Sequence, residues 1–347
     1  MGPSTSVKRP APREDVYRAY WQFAAERQRI FLRRAAGDPP PWTEDPILGR
    51  YKFCNSYRAS DRVSQFLIRD VIYAPGEWSP EDVVARTVLF RLFSKPETWL
   101  ALEEELGPLR AGFDSERAAA LLERRRSSGQ AIYTAAFILC ANDAFGLGRK
   151  HLNHLALVSS MLHGGLPKKL AQARSLAEVY EELRSYPLLG PFMAYQLAID
   201  LNYSELLDFS EDDFTIPGPG ALRGLAKCFT DLGGLRKDEA VHWMTAYQEE
   251  ECARLGVELP TLFGRRLHAI DCQNLFCEVD KYSRVAFPEL KSARVRIKTE
   301  FRQTPEPYRL FYPPKWRLNE RMPDGARVGA AAEESDVAAL GAASLGR

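Results

Sequence analysis

The sequence predicts an all-α protein, and three observations support this fold class. Apolar residues recur at the three- and four-residue spacing of an amphipathic helix over most of the chain, as in the segment from Arg13 to Arg34. Alternation of β-branched residues with a period of two, which would indicate strands, is nearly absent. Proline and capping residues mark several segment starts, as at Ser79-Pro80-Glu81-Asp82, where proline takes the first helical position. We therefore expect a single multi-helix domain.

The predicted helices follow in order from these patterns. The first ends at the run GDPPPWTEDP, because its prolines cannot continue a helix. Ser60 is the expected N-cap of the second helix, and Ser175 opens a later one with the box Ser175-Leu176-Ala177-Glu178. The predicted helices span residues 13–34, 60–73, 80–93, 97–105, 114–126, 131–144, 149–162, 176–184, 192–202, a helix opening at 219, 237–255 and 266–285, followed by a charged helix or loop around 290–302.

The two ends of the chain differ in composition from the rest. Residues 1–13 are polar and contain proline, so we expect them to be disordered. Residues 319–347 are rich in Gly, Ala and Ser and predict a flexible tail. The helical domain is therefore expected to span residues 14–318.

Composition limits the class of protein. With 347 residues, 45% of them hydrophobic and 27% charged, the chain is predicted to be soluble and globular. The formal net charge of +1 means that a nucleic-acid partner has to be met by a local basic face. Six scattered cysteines without a C-x-x-C pair, and no signal peptide, indicate a reduced, cytoplasmic protein. No apolar run reaches the length of a membrane span, so we expect no transmembrane helix. His151 and His154 have no third ligand nearby in the sequence, so we expect no metal site.

The stretch from Tyr186 to Gly224 carries the pattern that points to DNA. Two turns each open a helix there, one at Gly190-Pro191 and one at Gly218-Pro219-Gly220, and a helix start of this kind favours a phosphate. We expect the turns to share a concave, basic face; the candidate DNA-backbone residues are Gly190, Pro191, Gly218, Gly220, Arg223 and Lys281. Two alternatives stay open: a buried helix between two turns, and a simple pairing of Lys281 with Glu278.

A cluster of carboxylates, Glu211, Asp212 and Asp213, lies between the two turns. The arrangement resembles the helix-hairpin-helix DNA glycosylases, in which an L-P-G-x-G hairpin starts a helix and a catalytic Asp follows about twenty residues later. Here Gly190 would match the second hairpin glycine, whereas Leu188 stands where the first belongs. The resemblance makes Asp213 the first candidate for the catalytic carboxylate and Asp212 the second. No lysine follows the hairpin closely, which implies a monofunctional enzyme.

Three further segments resemble one family more specifically. FCNSYRASDRVSQFLIRDVIY from Phe53, RTVLFRLFSKPETW from Arg86 and FCEVDKYSR from Phe276 look like the helical domain of phage 5-hydroxymethyluracil DNA kinases. The same domain family includes predicted α-glutamyl/putrescinyl-thymine pyrophosphorylases and bacterial anti-phage glycosylases that remove hypermodified pyrimidines. The resemblance spans about residues 14–315.

The first of these segments contains side chains suited to a base. Asn55, Tyr57, Arg58 and Arg62 lie just before and within the first turn of a helix. An amide, a guanidinium and an aromatic ring can read the edge and stack on the face of an extruded base, so we expect a base-binding site there. The alternative is a structural ion-pair network of Arg58, Asp61 and Arg62.

Together these features favour a DNA glycosylase that hydrolyses the N-glycosidic bond of a 5-hydroxymethyl-derived pyrimidine, glucosylated forms included, in anti-phage defence. Such an enzyme needs water and no metal or organic cofactor, and its expected partner is double-stranded DNA with modified bases, bound by a monomer. Two alternatives stay open: a transferase or pyrophosphorylase that modifies 5-hydroxymethylpyrimidines in DNA, and a non-catalytic binder of modified DNA. The sequence has no P-loop motif G-x-x-x-x-G-K-[ST], which argues against a kinase activity of its own.

Overall fold

The computed structural model describes residues 8–134, 143–290, 296–297, 299–302, 309–323 and 326. Most of the helix predicted at 131–144, part of the charged segment at 290–302 and most of the tail from 319 lie outside the described residues. The described residues form fourteen α-helices and one two-stranded antiparallel sheet. The predicted all-α fold class is therefore confirmed.

The helices follow one another along the chain, most of them with short connections. None of those in the described residues is both long and apolar enough to cross a membrane. The helices are α1 (Glu14–Ala36), α2 (Pro46–Arg50), α3 (Arg62–Phe66), α4 (Pro80–Phe93), α5 (Pro96–Leu106), α6 (Ser115–Ser127), α7 (Lys150–His163), α8 (Leu166–Gln172), α9 (Leu176–Arg184), α10 (Pro191–Asn202), α11 (Pro219–Cys228), α12 (Lys237–Ala246), α13 (Gln248–Leu255) and α14 (Ala269–Ala286). The strands β1 (Ala11–Pro12) and β2 (Phe229–Asp231) pair with each other.

Capping side chains mark the start of some of the helices, α4 among them. Ser79 Oγ accepts a hydrogen bond from the Asp82 N–H at 3.1 Å, and the Asp82 carboxylate accepts one from the Ser79 N–H at 3.2 Å. This reciprocal pair is the predicted capping box of α4. The prediction that Ser60 caps the second helix is wrong, because Ser60 belongs to a 3-10 turn, Arg58–Ser60, and α3 starts one residue later, after Asp61.

Other differences from the predicted helices occur where the helical pattern continues across a break, or where an element is too short to show a period. The helix predicted at 237–255 is two helices, α12 and α13, separated at Tyr247, whose ring stacks on Trp243 at 5.0 Å. After α3 the backbone continues as a π-helical turn, Leu67–Ile72. The helices α2 and α8 have five and seven residues and were not predicted. Elements this short do not complete the two turns that an amphipathic pattern needs.

Helix α14 lies between α11 and α1, and two glycines set the distance between α11 and α14. A Cβ at Gly224 would lie 2.1 Å from the carbonyl oxygen of Phe276, and a Cβ at Gly220 would lie 2.6 Å from Cys277 Sγ. Glycine allows this approach because it has no Cβ. On the side of α1, the rings of Tyr20 and Phe276 are 4.7 Å apart. The position of α14 is therefore fixed on both sides.

A buried ion cluster joins α4, α10 and the segment before α3. Asp200 is fully buried, and its Oδ1 accepts hydrogen bonds from Arg58 at 2.8 Å and from Arg91 at 2.9 Å. Arg58 also donates to the Gln196 side chain at 2.9 Å and to the Tyr203 hydroxyl at 2.8 Å. The Asp200 carboxylate thus joins three segments of the core, because Arg58 and Arg91 reach it from two different segments.

The residues after 309 pack back onto the helical domain. We call residues 309–322 the C-terminal strap. Leu310, Tyr312, Leu318 and Met322 of this strap are buried, and the Tyr312 hydroxyl lies 2.8 Å from Ser60 Oγ. At the other end of the chain, β1 pairs with β2. Described residues of both predicted flanking segments therefore contact the helical domain.

Candidate functional site

A cavity of about 180 Å³ opens beside the C-terminal end of α10. Four segments form its walls: α10, the loop after it, the segment before α14 and the C-terminal strap. The lining residues are Asn202, Asp208, Phe209, Ser210, Glu211, Arg265, His268, Lys315 and Trp316. Small-molecule sites typically measure roughly 300–1,000 Å³, so this cavity suits a single heterocycle better than a whole nucleotide.

Glu211 is the polar residue that distinguishes this cavity. Its side chain is 5% exposed, and Oε2 accepts a hydrogen bond from Arg265 at 2.9 Å. The other carboxylate oxygen, Oε1, is buried and has no hydrogen-bond partner among the described residues. A buried acceptor without a partner costs about 1–3 kcal/mol, so Oε1 would gain from a hydrogen-bond donor that a ligand in the adjoining cavity supplies.

The C-terminal strap supplies one wall of the cavity. The Trp316 ring lies beneath the guanidinium of Arg265, with 3.8 Å between the guanidinium carbon and the ring centroid. Lys315 holds the strap in place, since its ammonium donates to the carbonyls of Asn202 at 2.7 Å and Ser204 at 2.9 Å, and also to that of Leu207. Burial lowers the pKa of Lys315. Because its donors meet backbone carbonyls, Lys315 positions the wall rather than reaching into the cavity.

A narrow crevice, too small for a water molecule, continues behind the cavity towards Tyr57 and Asp271. Asp271 is buried and accepts the backbone N–H of Arg58 at 2.7 Å and that of His268 at 3.1 Å. Burial and then the charge of Glu211 raise the pKa of Asp271 to about 6, although the two N–H donors act against this. The two carboxyl groups are thus electrostatically coupled at the inner end of the site.

The three consecutive carboxylates of the acidic turn point in different directions. Glu211 lines the cavity. Asp212 accepts the Ala269 N–H at 3.0 Å and lies 3.1 Å from His268 Nδ1, at the start of α14. Burial alone would raise the pKa of Asp212, but His268 and the Ala269 N–H hold it below its usual range. Asp213 is exposed, and no side-chain contact of it is seen among the described residues.

The predicted catalytic residues, Asp213 and Asp212, are therefore not the carboxylate that lines the cavity. The sequence analysis includes Glu211 in the carboxylate cluster but assigns a catalytic role only to its two neighbours. A turn of three acidic residues gives no periodic signal for which side chain faces inward. Only the path of the loop between α10 and α11 decides this.

The two predicted backbone-binding turns do lie next to each other. Gly218 precedes α11, and a Cβ there would lie 2.6 Å from the ring of Phe192, which follows Pro191 at the start of α10. Gly190 and Pro191 are exposed, whereas the Gly218 N–H is bonded to the Gln273 side chain at 3.2 Å. Two helix N-termini therefore meet at one edge of the molecule, and their contact with DNA stays a prediction.

The other residues assigned to the DNA backbone have partners within the protein. Gly220 faces Cys277 across the contact of α11 with α14. Arg223 donates to Asp280 at 3.1 Å. Lys281 Nζ lies 2.5 Å from Glu278 Oε2, which is the pairing considered as the alternative to a DNA contact. Burial lowers the pKa of Lys281, but Glu278 and the neighbouring thiols raise it overall.

The four predicted base-binding residues do not converge on one surface. Tyr57 is buried and lines the crevice behind the cavity. Asn55 is buried, and its amide donates to the Ser60 carbonyl at 2.6 Å. Arg58 is committed to the Asp200 cluster at 3% exposure, and Arg62 is exposed. Arg58 does form a buried ion pair, as the alternative interpretation had it, but its partner is Asp200 and not Asp61.

The histidines considered as metal ligands lie elsewhere. His154 is buried, its Nδ1 lies 3.0 Å from the Tyr133 hydroxyl, and burial lowers its pKa to about 3. His151 is also buried, 3.3 Å from a carboxylate oxygen of Glu123. Across the described stretches of the chain, no group of three or more His, Cys, Asp or Glu residues is arranged to hold a metal ion.

Comparison with known proteins adds two findings. A family model described as "5-hmdU DNA kinase, helical domain" matches residues 14–292. A 5-hmdU DNA kinase from Bacillus phage SP10 is 30% identical over 293 residues, which cover 79% of this chain and 46% of the relative. The chain thus spans about half the length of the curated relative that it matches. No solved structure matches this chain.

These findings overturn the predicted reaction. Both similarities are to a 5-hmdU DNA kinase, and neither is to a hydrolase. The prediction of a monofunctional DNA glycosylase is therefore wrong, and the transferase named as its alternative is favoured. The separate likeness to helix-hairpin-helix proteins stays a prediction.

Proposed function

This chain belongs to the family of the helical domain of 5-hmdU DNA kinases, and from that premise we propose that it recognises 5-hydroxymethyluracil in DNA as the acceptor of a transferred phosphoryl group. The observation that carries the proposal is the family match across residues 14–292, which includes Glu211 and Arg265 of the cavity and Asp271 of the crevice behind it. The proposal covers double-stranded DNA as substrate, action in the cytoplasm and a monomeric protein.

The chemistry of the transfer defines what the acceptor site has to do. The 5-hydroxymethyl oxygen attacks the γ-phosphorus of a nucleoside triphosphate, an O–P bond forms, and the bond from that phosphorus to the bridging oxygen breaks as the nucleoside diphosphate leaves. The hydroxyl proton passes to a nearby base or to water. Catalysis of such a step rests mainly on position and charge, so the acceptor hydroxyl has to be held still in a defined place.

A base inside a duplex cannot reach a cavity of this kind unless it is turned out of the stack. A small, partly enclosed space with an unpartnered acceptor and an aromatic wall is suited to receive it. The adjacent starts of α10 and α11 offer N–H groups for the phosphates on either side of an extruded nucleotide. These features support recognition of the acceptor strand.

The experiment uses two DNA duplexes that differ at one position, where one carries 5-hydroxymethyldeoxyuridine and the other thymidine. Binding is measured by fluorescence anisotropy, and the DNA is then incubated with the protein and ATP, digested to nucleosides and analysed by mass spectrometry. We expect roughly tenfold tighter binding to the modified duplex, as one added hydrogen bond to a charged group provides.

A phosphate found on the modified nucleoside would extend the proposal from acceptor recognition to complete transfer by this chain alone. Equal affinity for the two duplexes would refute the proposal. Appearance of the free base in place of a phosphorylated nucleoside would also refute it.

A further inference from the structure

Glu211 carries an acceptor that nothing in the described protein uses. Its Oε1 is buried without a partner, while Oε2 is held by Arg265 at 2.9 Å. The ion pair therefore fixes the carboxylate of a residue that lines the cavity and leaves its second, buried oxygen without a partner. A fixed, desolvated acceptor of this kind gains most from a donor on a ligand, because the cost of its burial is already present in the empty site.

Arg265 and Trp316 complete the surroundings of this oxygen. Arg265 has guanidinium N–H groups other than the one given to Glu211, and it lies over Trp316 at 3.8 Å. Donors and an acceptor thus occur within one small cavity beside an aromatic ring. A pyrimidine has carbonyl oxygens that accept, an N3–H that donates and a face that stacks, and the 5-hydroxymethyl group adds one more donor.

The wall that contains Trp316 lies outside the family match, which ends at residue 292. The C-terminal strap is nevertheless firmly attached, since Lys315 donates to three carbonyls at and just after the end of α10, and the Phe311 N–H donates to the Gln65 side chain at 2.8 Å. Trp316 also packs edge-on against Tyr203 at 5.5 Å. The strap therefore places an aromatic side chain of its own against residues of the family domain.

On the basis of the function proposed above, we propose that this cavity is the subsite for the extruded base, in which Glu211 accepts a hydrogen bond from the 5-hydroxymethyl group and Trp316 of the C-terminal strap, with Arg265 lying on its ring, forms one wall. Glu211 then selects the hydroxyl that separates the modified base from thymine. During transfer the same carboxylate is placed to receive the hydroxyl proton. The strap sets which substituents fit at the C5 position.

Glu211→Gln tests the acceptor directly. The Gln side chain keeps the shape, but Arg265 needs an acceptor, so the amide oxygen turns towards Arg265 and the amide NH2 faces the cavity. A donor then stands where an acceptor is required. We expect the roughly tenfold preference for the modified duplex to fall to about one, with affinity for the thymidine duplex unchanged within about twofold.

Two further variants of the full chain complete the test. Trp316→Leu should weaken binding to the modified duplex by roughly fivefold or more, because Arg265 loses the ring on which it lies and the cavity loses one wall. It should change thymidine binding less, since that base stays paired. Glu258→Gln alters an exposed glutamate outside the cavity and should keep the wild-type preference. All proteins are first compared by circular dichroism and thermal unfolding.

The outcomes separate the two proposals. If wild-type protein shows no preference for the modified duplex, the proposed function fails. If wild-type protein shows it and Glu211→Gln keeps it, the subsite is refuted while the function stands. Should Glu211→Gln fail to fold, Trp316→Leu decides, and unchanged binding of the modified duplex by that variant refutes the subsite.

Discussion

The role of Arg58 can be decided by changing its partner, Asp200. Sequence reasoning placed Arg58 at the base, whereas the structure buries it against Asp200, which also pairs with Arg91. The side chains of Arg58, Arg91 and Asp200 are 3%, 1% and 0% exposed. Asp200→Asn keeps the size of the side chain and removes the negative charge between two buried guanidinium groups.

The expected loss is large because the remaining charges stay buried. Removing one partner of a buried ion pair costs about 3–5 kcal/mol, since the uncompensated charge keeps its desolvation penalty. Here the carboxylate serves two arginines, so we expect a value at the upper end, about 4–5 kcal/mol. A loss of this size is a large share of the roughly 5–15 kcal/mol by which typical domains are stable.

Urea unfolding at pH 7, followed by circular dichroism, measures this loss. Asp213→Asn is the matched control, because Asp213 is exposed and the same change there should stay within about 0.5 kcal/mol. If Asp200→Asn lowers the free energy of unfolding by less than about 1 kcal/mol, the buried cluster does not hold Arg58. Arg58 would then be available to contact a base, as the sequence suggested.

Three further outcomes are expected. Gly224→Ala should lower the free energy of unfolding by roughly 1–3 kcal/mol or more, because the new Cβ would lie 2.1 Å from the Phe276 carbonyl oxygen. Gly112→Ala is the control, since a Cβ at Gly112 meets nothing within 4 Å. Equal urea midpoints for the two variants would contradict this expectation. Burial raises the pKa of Asp271 from 3.8 to about 6, so the stability that Asp271 contributes is present below about pH 4 and lost as the pH rises through 6. The stability deficit of Asp271→Asn should therefore shrink by up to about 3 kcal/mol between pH 4 and pH 7, and a constant deficit in unfolding measured at both pH values would exclude such a shift. DNA affinity should fall steeply between about 50 and about 200 mM salt, as phosphate contacts release counterions, and a flat anisotropy titration would favour a ligand other than DNA.

The fold class could be predicted because helical periodicity and capping are local. The capping box at Ser79 depends on residues three apart, and the segment around α1 repeats its apolar positions every three or four residues. The same local rules fail at Tyr247, where the pattern continues but the helix does not. They also fail at α2 and α8, which are too short to show a period.

The candidate site depended on partners that are far apart in the sequence. Arg58 is 142 residues from Asp200, and Glu211 is 54 residues from Arg265. A single sequence does not tell which of many carboxylates meets a given arginine, so Arg58 was assigned to a base and Glu211 received no role. Likewise, Trp316 reaches the cavity only because the C-terminal strap folds back onto the end of α10.

The sequence by itself therefore determined the all-α architecture, most helix starts and the family, since these rest on local spacing and on segments that can be matched one by one. Tertiary structure alone decided that Glu211 turns inward while Asp212 caps α14 and Asp213 faces solvent. The physical reason is that three adjacent side chains in a loop have no preferred face of their own. Their directions follow from the packing of α14 and the strap against the loop, which forms only when segments distant in the chain come together.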